Sequence, residues 1–287
     1  MNCFGLYSVN FFIYIIIKMN IPKIVFIVPY RNREQEKLHF SIYMQYIMED
    51  YDINEYEIYY SHQIDKKPFS RGGTKNIGFL AIKNKYPDHY KNITFVFNDV
   101  DTLPCRKNLL DYITIRGTVK HFFGFTFTLG GIFSIMGSDF ERCNGFPNLY
   151  GWGLEDNAMQ DRVSNNGIKI NRDVFYSAGK TRDIISLNSD TRRIINNKDP
   201  TNYNLRKLND NLTNIKNLNY NIVSNQEKAN KKNINEFIIN IVEFDSLIAP
   251  IATEFYVQDI SKDSKLHTNV MEKHRTQAAW SMNRFMK

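Results

Sequence analysis

The sequence predicts an α/β fold: a Rossmann-like mixed sheet flanked by helices, forming one main domain. Three observations predict it. Residues 23–101 alternate between short β-branched apolar runs and longer stretches with apolar residues at helical spacing. The apolar runs stop abruptly at proline, arginine or aspartate, as buried strands do where they leave a sheet. Hydrophobic residues make up 43% of the 287-residue chain and aromatics 14%, enough to cover both faces of such a sheet.

"KIVFIVPYRN" (23–32) reads as a buried strand ending at Pro29. "REQEKLHFSIYMQYIMEDY" follows as a helix, "EYEIYYSHQ" as a second strand, and "GGTKNIGFLAIKNKY" as a second helix. "ITFVFNDVD" is a third strand running into acids. This order implies a mainly parallel sheet, whose ligands bind beyond the carboxyl ends of the strands. Further on, "HFFGFTFTLGGIFSIM" reads as one or two strands bent at Gly130 and Gly131, and "GSDFERCNGFP" as a short helix and turn. "NAMQDRVSNNGIKI" reads as a helix closing at Gly167, then a strand. The Asn-rich region 201–240 stays with the same domain, because "YNIVS" and "EFIINIVEF" read as strands and "NYNLRKLNDNL" has helical periodicity.

The expected organisation is a short apolar segment at 1–22, the main domain at 23–245 and a tail with a basic helix at 246–287. The apolar stretch "FGLYSVNFFIYIII" is shorter than the ~20 residues a spanning helix needs. Two readings are open: an extension upstream of Met19, which suits a cytoplasmic protein, or a short anchor giving contact with a Golgi or ER membrane. Three cysteines form neither a disulfide framework nor a zinc pattern and suit a reducing compartment. The net charge of +7 is scattered, which argues against a nucleic-acid partner.

Four stretches carry chemistry. In "FNDVD", Asp99 and Asp101 are spaced i, i+2 at a strand end, where two carboxylates need a cation or donors between them. A divalent Mn²⁺ or Mg²⁺ shared with phosphate oxygens meets that need; a solvated acidic turn meets it too. In "PYRNRE", Arg31 and Arg33 can meet an anion or pair with nearby acids. "PFSRGGTKN" leads an aromatic, an arginine and two glycines into a helix N-terminus, which can hold a base or a phosphate. In "GFPNLYGWGLEDNAMQDR", aromatics among glycines can form a platform for a sugar ring, and Glu155 and Asp156 can bind or deprotonate its hydroxyls. A plain helix start also favours acids.

Together these stretches resemble the β-1,4-galactosyltransferase family, through "VPYRNREQ", "FSRGGTKNIGF", "FVFNDVDTLP" and "GGIFSIMGSDFERCNGFPNLYGWGLED", over roughly 23–244. The resemblance implies a GT-A fold and an inverting transfer of galactose from UDP-galactose to a glycan or glycoconjugate. It implies UDP-sugar contacts from Pro29, Arg31, Arg33, Phe69, Arg71, Asp99, Val100, Asp101, Gly131 and Trp152. It implies Asp101 as the direct ligand of Mn²⁺ or Mg²⁺, and Asp156 as general base beside Glu155. The acceptor would lie against Tyr150, Trp152, Glu155 and Asp156.

The chain departs from the family at three places. Tyr150-Gly151-Trp152-Gly153 stands where Trp-Gly-Trp-Gly is usual, one residue closer to Asn148. The family's metal-binding His, about thirty residues past the acid pair, has no counterpart in "KTRDIISLNSD". Asp183, or His267 or His274 from the tail, are the candidates to replace it; Asp101, diphosphate and water alone are the other way to hold the metal. Thr128 stands where a bulky aromatic favours galactose, so UDP-N-acetylgalactosamine is an alternative donor. A catalytically weak sugar-binding protein on the same fold is the second alternative.

Overall fold

The computed structural model describes residues 20–187, 192–197, 209–225, 235–247 and 249–259. The first half follows the predicted alternation. β1 (Ile24–Tyr30) and β2 (Tyr56–Gln63) run parallel, and β3 (Thr94–Asn98) lies parallel to β1 on its other side. α1 (Glu34–Ile47) follows β1, and α2 (Arg71–Lys85) follows β2. β4 (Thr102–Pro104) comes just after the DxD turn.

The rest of the sheet is mixed. β5 (Thr118–Gly124) and β6 (Ile132–Met136) are antiparallel, so the bent run at Gly130–Gly131 is two strands. α3 (Gly137–Arg142) and α4 (Glu155–Asn165) follow, then β7 (Lys169–Asn171) and β8 (Tyr176–Ser177). β9 (Ile184–Ser186) pairs with β4, and β10 (Arg192–Asn196) comes next. β11 (Lys216–Ser224) and β12 (Glu236–Asp245) form an antiparallel pair that joins the sheet through β12 and β2. The central order is β11-β12-β2-β1-β3-β6-β5-β7, with β8 also on β5.

Residues set apart as a tail are part of the fold as far as Asp259. β13 (Phe255–Asp259) pairs antiparallel with β10. The short run "FYVQD" supplies a partner for β10 that no local pattern announced. The apolar N-terminal stretch, the basic helix at 274–287 and most of "NYNLRKLNDNL" lie outside the described residues. Among the described residues, no helix is long and apolar enough to cross a membrane.

The two faces of the sheet build two cores, because strand side chains alternate. Val25 and Ile27 of β1 face α2, α3 and α4, packing with Ile77, Phe140 and Met159. Ile24, Phe26 and Val28 face α1, packing with Phe40, Met44 and Ile47. α2 lies unusually close to its neighbours. A Cβ on Gly78 would stand 2.5 Å from Cγ2 of Ile27, and one on Gly72 2.1 Å from the Pro147 carbonyl. The glycines within this helix therefore allow it to approach both the sheet and the turn that precedes α4.

Phe97, one residue before Asn98 at the end of β3, anchors the first core. Its ring lies 5.2 Å from Phe133, 4.7 Å from Phe140 and 5.4 Å from Phe146. It thus packs the strand that leads to Asp99 against the turn that leads to Glu155. Phe97→Ala is expected to cost about 3–5 kcal/mol, read as a lower urea midpoint at unchanged slope. A shift under about 1 kcal/mol would show that this cluster is not the anchor.

Candidate active site

The carboxyl ends of β1, β2 and β3 lie on one side of the sheet, so Arg31 and Arg33, Phe69 to Arg71, and Asp99 to Asp101 share one edge. The acid pair arrives from elsewhere. Leu154 caps α4 in a left-handed conformation, φ 71°, and Glu155 and Asp156 form the first turn at the helix's positive end. A left-handed leucine costs of order 1 kcal/mol, and it turns the chain sharply from Trp152 into the acids.

α2 holds these groups together. Ser70 caps it by accepting from the Gly73 N–H at 3.1 Å. Arg71 Nη2 donates to both oxygens of Asp99 at 2.7 Å, and its Nε lies 3.5 Å from Glu155 Oε1. One helical turn on, Lys75 Nζ donates to Asp156 Oδ1 at 2.8 Å. Burial opposes ionisation of Asp99, but Arg71 and Lys75 outweigh it and hold its carboxyl below the usual range. Burial also opposes the charge on Arg71, and Asp99, Glu155 and Asp156 together outweigh it.

Two carboxyls move the other way. Burial, and then the charge on Asp156, push Glu155 up to about 7. Burial, and then Asp99, push Asp101 up to about 6, although Arg71, Arg33 and Arg193 pull it down. Arg71 and Lys75 pair with Asp99, Glu155 and Asp156, whereas Asp101 feels Arg71, Arg33 and Arg193 only at longer range. A hard cation suits such a carboxylate. Among the described residues no group of three His, Cys, Asp or Glu side chains gathers to bind a metal.

β9 runs antiparallel to β4 with Ser186 opposite Thr102, and the Leu187 N–H donates to the Asp101 carbonyl at 2.8 Å. The strand position beside Asp101 is therefore filled by Ser186 and Leu187. The Asp183 carbonyl accepts from the Cys105 N–H at the opposite end of this ladder from Asp101. His267 and His274 lie outside the described residues.

Other expected contacts are placed differently. Arg31 braces the loop after β2, donating to the carbonyls of Asp65 and Lys67 and pairing with the Asp65 carboxylate at 3.5 Å. Arg33 pairs with Glu36 at 2.9 Å. Arg71 spans Asp99 and Glu155 and keeps 19% of its side chain exposed. Pro29 and Val100 are buried at their strand ends. Tyr150, expected against an acceptor, is only 3% exposed and stacks on Phe244 at 6.0 Å, so its faces belong to the core. Trp152 remains half-buried beside the site, fixed by its N–H to the Ile194 carbonyl at 2.7 Å. Phe69 accepts from the Gly151 N–H at 2.9 Å and stitches the aromatic turn to the entry of α2.

A turn at Leu129–Gly131 links the two acidic centres. The Leu129 N–H donates to the Asp156 carbonyl at 3.0 Å, and the Gly131 carbonyl accepts from the Asp99 N–H at 3.0 Å. Gly131, φ 71°, lies so close to Phe123 that a Cβ would stand 2.4 Å from its carbonyl. Thr128 begins this turn, largely buried, its hydroxyl near the Phe125 carbonyl. His121 clasps the turn from beneath. Arg172 Nε donates to His121 Nδ1 at 3.0 Å, so Nε2 carries the proton and faces the Phe123 and Gly130 carbonyls at 3.0 and 3.1 Å.

Lys75, Gly130, His121 and Arg172 escaped sequence reasoning. Lys75 was readable in principle, since it follows Arg71 by four residues on one helix face. His121 lies on β5 and Arg172 just after β7, distant in the chain, and nothing local pairs them.

Family models match two adjoining parts of the chain. Residues 19–112 match "N-terminal region of glycosyl transferase group 7", and residues 113–185 match "N-terminal domain of galactosyltransferase". β-1,4-galactosyltransferase 4 of Homo sapiens is 28% identical over 53% of this chain and 45% of its own length. β-1,4-galactosyltransferase 7 of Drosophila melanogaster is 28% identical over 72% of this chain and 66% of its own. The chain thus spans about half to two thirds of these relatives. A solved mutant of the Drosophila β-1,4-galactosyltransferase 7, in complex with manganese, UDP-Gal and xylobiose, shares the fold. Its TM-score is 0.54 at 23% identity, covering 77% of this chain and 94% of that one.

Burial, and then the charge of Arg172, lower His121 to about 4. The unfolded chain binds that proton from about pH 6.5 downward, so the stability from neutral His121 is complete above pH 6.5 and falls as the pH drops toward 4. Glu155 contributes in the opposite sense, since its raised folded value makes stability fall as pH rises from its usual range to about 7. Comparing parent with His121→Gln isolates the histidine. The parent is expected to lose about 3 kcal/mol more than the variant between pH 7 and pH 4, read by urea unfolding. Parallel losses would show that His121 does not carry this dependence.

Proposed function

Because the chain belongs to the β-1,4-galactosyltransferase family, we propose that it transfers galactose from UDP-galactose to a hydroxyl of a glycan or glycoconjugate, inverting the anomeric configuration. The observation that carries this reading is the pairing of two acidic centres across one turn, Asp99–Asp101 at a strand end and Glu155–Asp156 at a helix start. The first suits a sugar diphosphate, the second an attacking hydroxyl.

Asp156 accepts the proton of the acceptor hydroxyl as its oxygen attacks the anomeric carbon. The bond from that carbon to UDP breaks on the opposite face, and its electron pair leaves on the diphosphate. A single displacement turns an α-linked donor into a β-linked product. Glu155 binds sugar hydroxyls beside the base. Trp152 offers its ring between donor and acceptor, without help from Tyr150. Asp101 would hold a Mn²⁺ or Mg²⁺ ion, and such an ion, when bound, supplies positive charge to the departing diphosphate. Arg33, Phe69, Gly131 and the buried strand ends at Pro29 and Val100 shape the donor side. Thr128 leaves room beside the donor ring, so UDP-N-acetylgalactosamine is the second donor to test.

UDP release is to be measured with each donor and a GlcNAc or xylose acceptor. Acceptor-dependent release is expected in the parent, and Asp156→Asn is expected to lower it by about 10²–10⁴-fold with UDP affinity nearly intact. Near-parent turnover in that variant would remove the base assignment. Sugar binding with no turnover for any donor would replace the transferase with a sugar-binding protein.

Calorimetry with and without metal tests the other centre. UDP is expected to bind more tightly with Mn²⁺ than with EDTA, and Asp101→Ala to erase most of that difference. Equal affinities in the parent would remove the metal.

A further inference from the structure

We propose that Lys75 is the positioning residue for the base: its buried ammonium occupies Oδ1 of Asp156, so that Oδ2 is the oxygen presented to the acceptor hydroxyl. The inference rests on the reading of Asp156 as general base and adds a residue to it.

The burial of Lys75 is the first observation. It is 1% exposed, although it sits one helical turn from a half-buried Arg71 at the rim. A buried ammonium is costly unless it is paired. Its Nζ lies 2.8 Å from Asp156 Oδ1, and 4.7 Å from the centre of the Phe146 ring. The pair is asymmetric. The Asp156 side chain keeps 18% of its surface open while the ammonium is sealed. A molecule entering the site reaches the carboxylate and not the lysine.

The second observation is on the other oxygen. Oδ2 of Asp156 lies against Gly130, where a Cβ would stand only 2.4 Å away. Asp156 is also held by its own carbonyl, which accepts from the Leu129 N–H at 3.0 Å. Backbone, Oδ1 and the Gly130 side are thus all set before any ligand arrives. A base aligned in advance loses no time or entropy finding its proton.

The third observation is the division of labour along α2. Arg71 faces Glu155 and Asp99, whereas Lys75 donates to Asp156. Adjacent acids on α4 are therefore held by separate cations, and Glu155 and Asp156 keep distinct orientations. In the transfer step, the acceptor O–H bond breaks, its proton bonds to Oδ2, and Lys75 keeps its own protons throughout. Lys75 touches no reacting atom, and its effect passes through Asp156.

The experiment compares Lys75→Met and Lys75→Gln with the parent. Steady-state kinetics give kcat and the KM for the UDP-sugar, and UDP affinity and melting temperature check the fold. Both variants are expected to lose at least 10-fold in kcat, with KM and UDP affinity within about threefold of the parent. Gln, which can still donate to Oδ1, is expected to retain more than Met. Lys75→Arg, which keeps the cation, is expected to recover part of the loss. A smaller fall in kcat, or a fall carried by KM, would overturn the proposal and leave Lys75 a structural charge. Should the Met variant fail to fold, the Gln variant alone decides by the same criterion. A parent without turnover overturns the transferase reading and this one together; a turning-over parent with unaffected variants overturns only this one.

Discussion

The site depends on two cations placed one turn apart on the same face of α2. Asp99, Asp101, Glu155 and Asp156 come from two distant segments, and like charges at partly buried positions repel strongly. Arg71 spans Asp99 and Glu155, and Lys75 takes Asp156. Without them the DxD turn and the acid pair would not tolerate each other's company. The arrangement leaves Asp101 with cations only at longer range, where a hard cation and a diphosphate are most welcome.

α2 can do this because it is allowed to come close. Gly72 lets it meet the backbone of the Pro147 turn, and Gly78 lets it press on Ile27 of the central strand. Gly130 performs the same service for Asp156, and Gly131 for Phe123. Beneath, a Phe97–Phe133–Phe140–Phe146 cluster packs the acid-bearing strand against the acid-bearing turn. Electrostatic placement at the rim thus rests on apolar packing a few ångströms below, where a displaced ring would shift both acidic centres.

Two stretches beside the acids are set by their packing neighbours. The strand beside Asp101 carries Ser186 and Leu187. Tyr150 packs into the core, stacked on Phe244 of β12, and Trp152 is the half-buried aromatic beside the acids.

Local pattern alone determined the α/β class, the first three strands and two helices, and the identity of the acids and most of the arginines. Each of these is a short-range signal: an apolar run, a helical spacing, a strand ending in DxD. The resemblance drew its force from the same stretches. Only the tertiary structure decided what those residues do to one another. It set Arg71 between two acids, paired Arg31 with the loop after β2, buried Tyr150 and paired β13 with β10. It also revealed Lys75 beside Asp156 and His121 beneath the Gly130 turn. The reason is physical. A charge's role is set by the partners within a few ångströms of it, and those partners lie 81 residues away for Lys75 and 51 for His121.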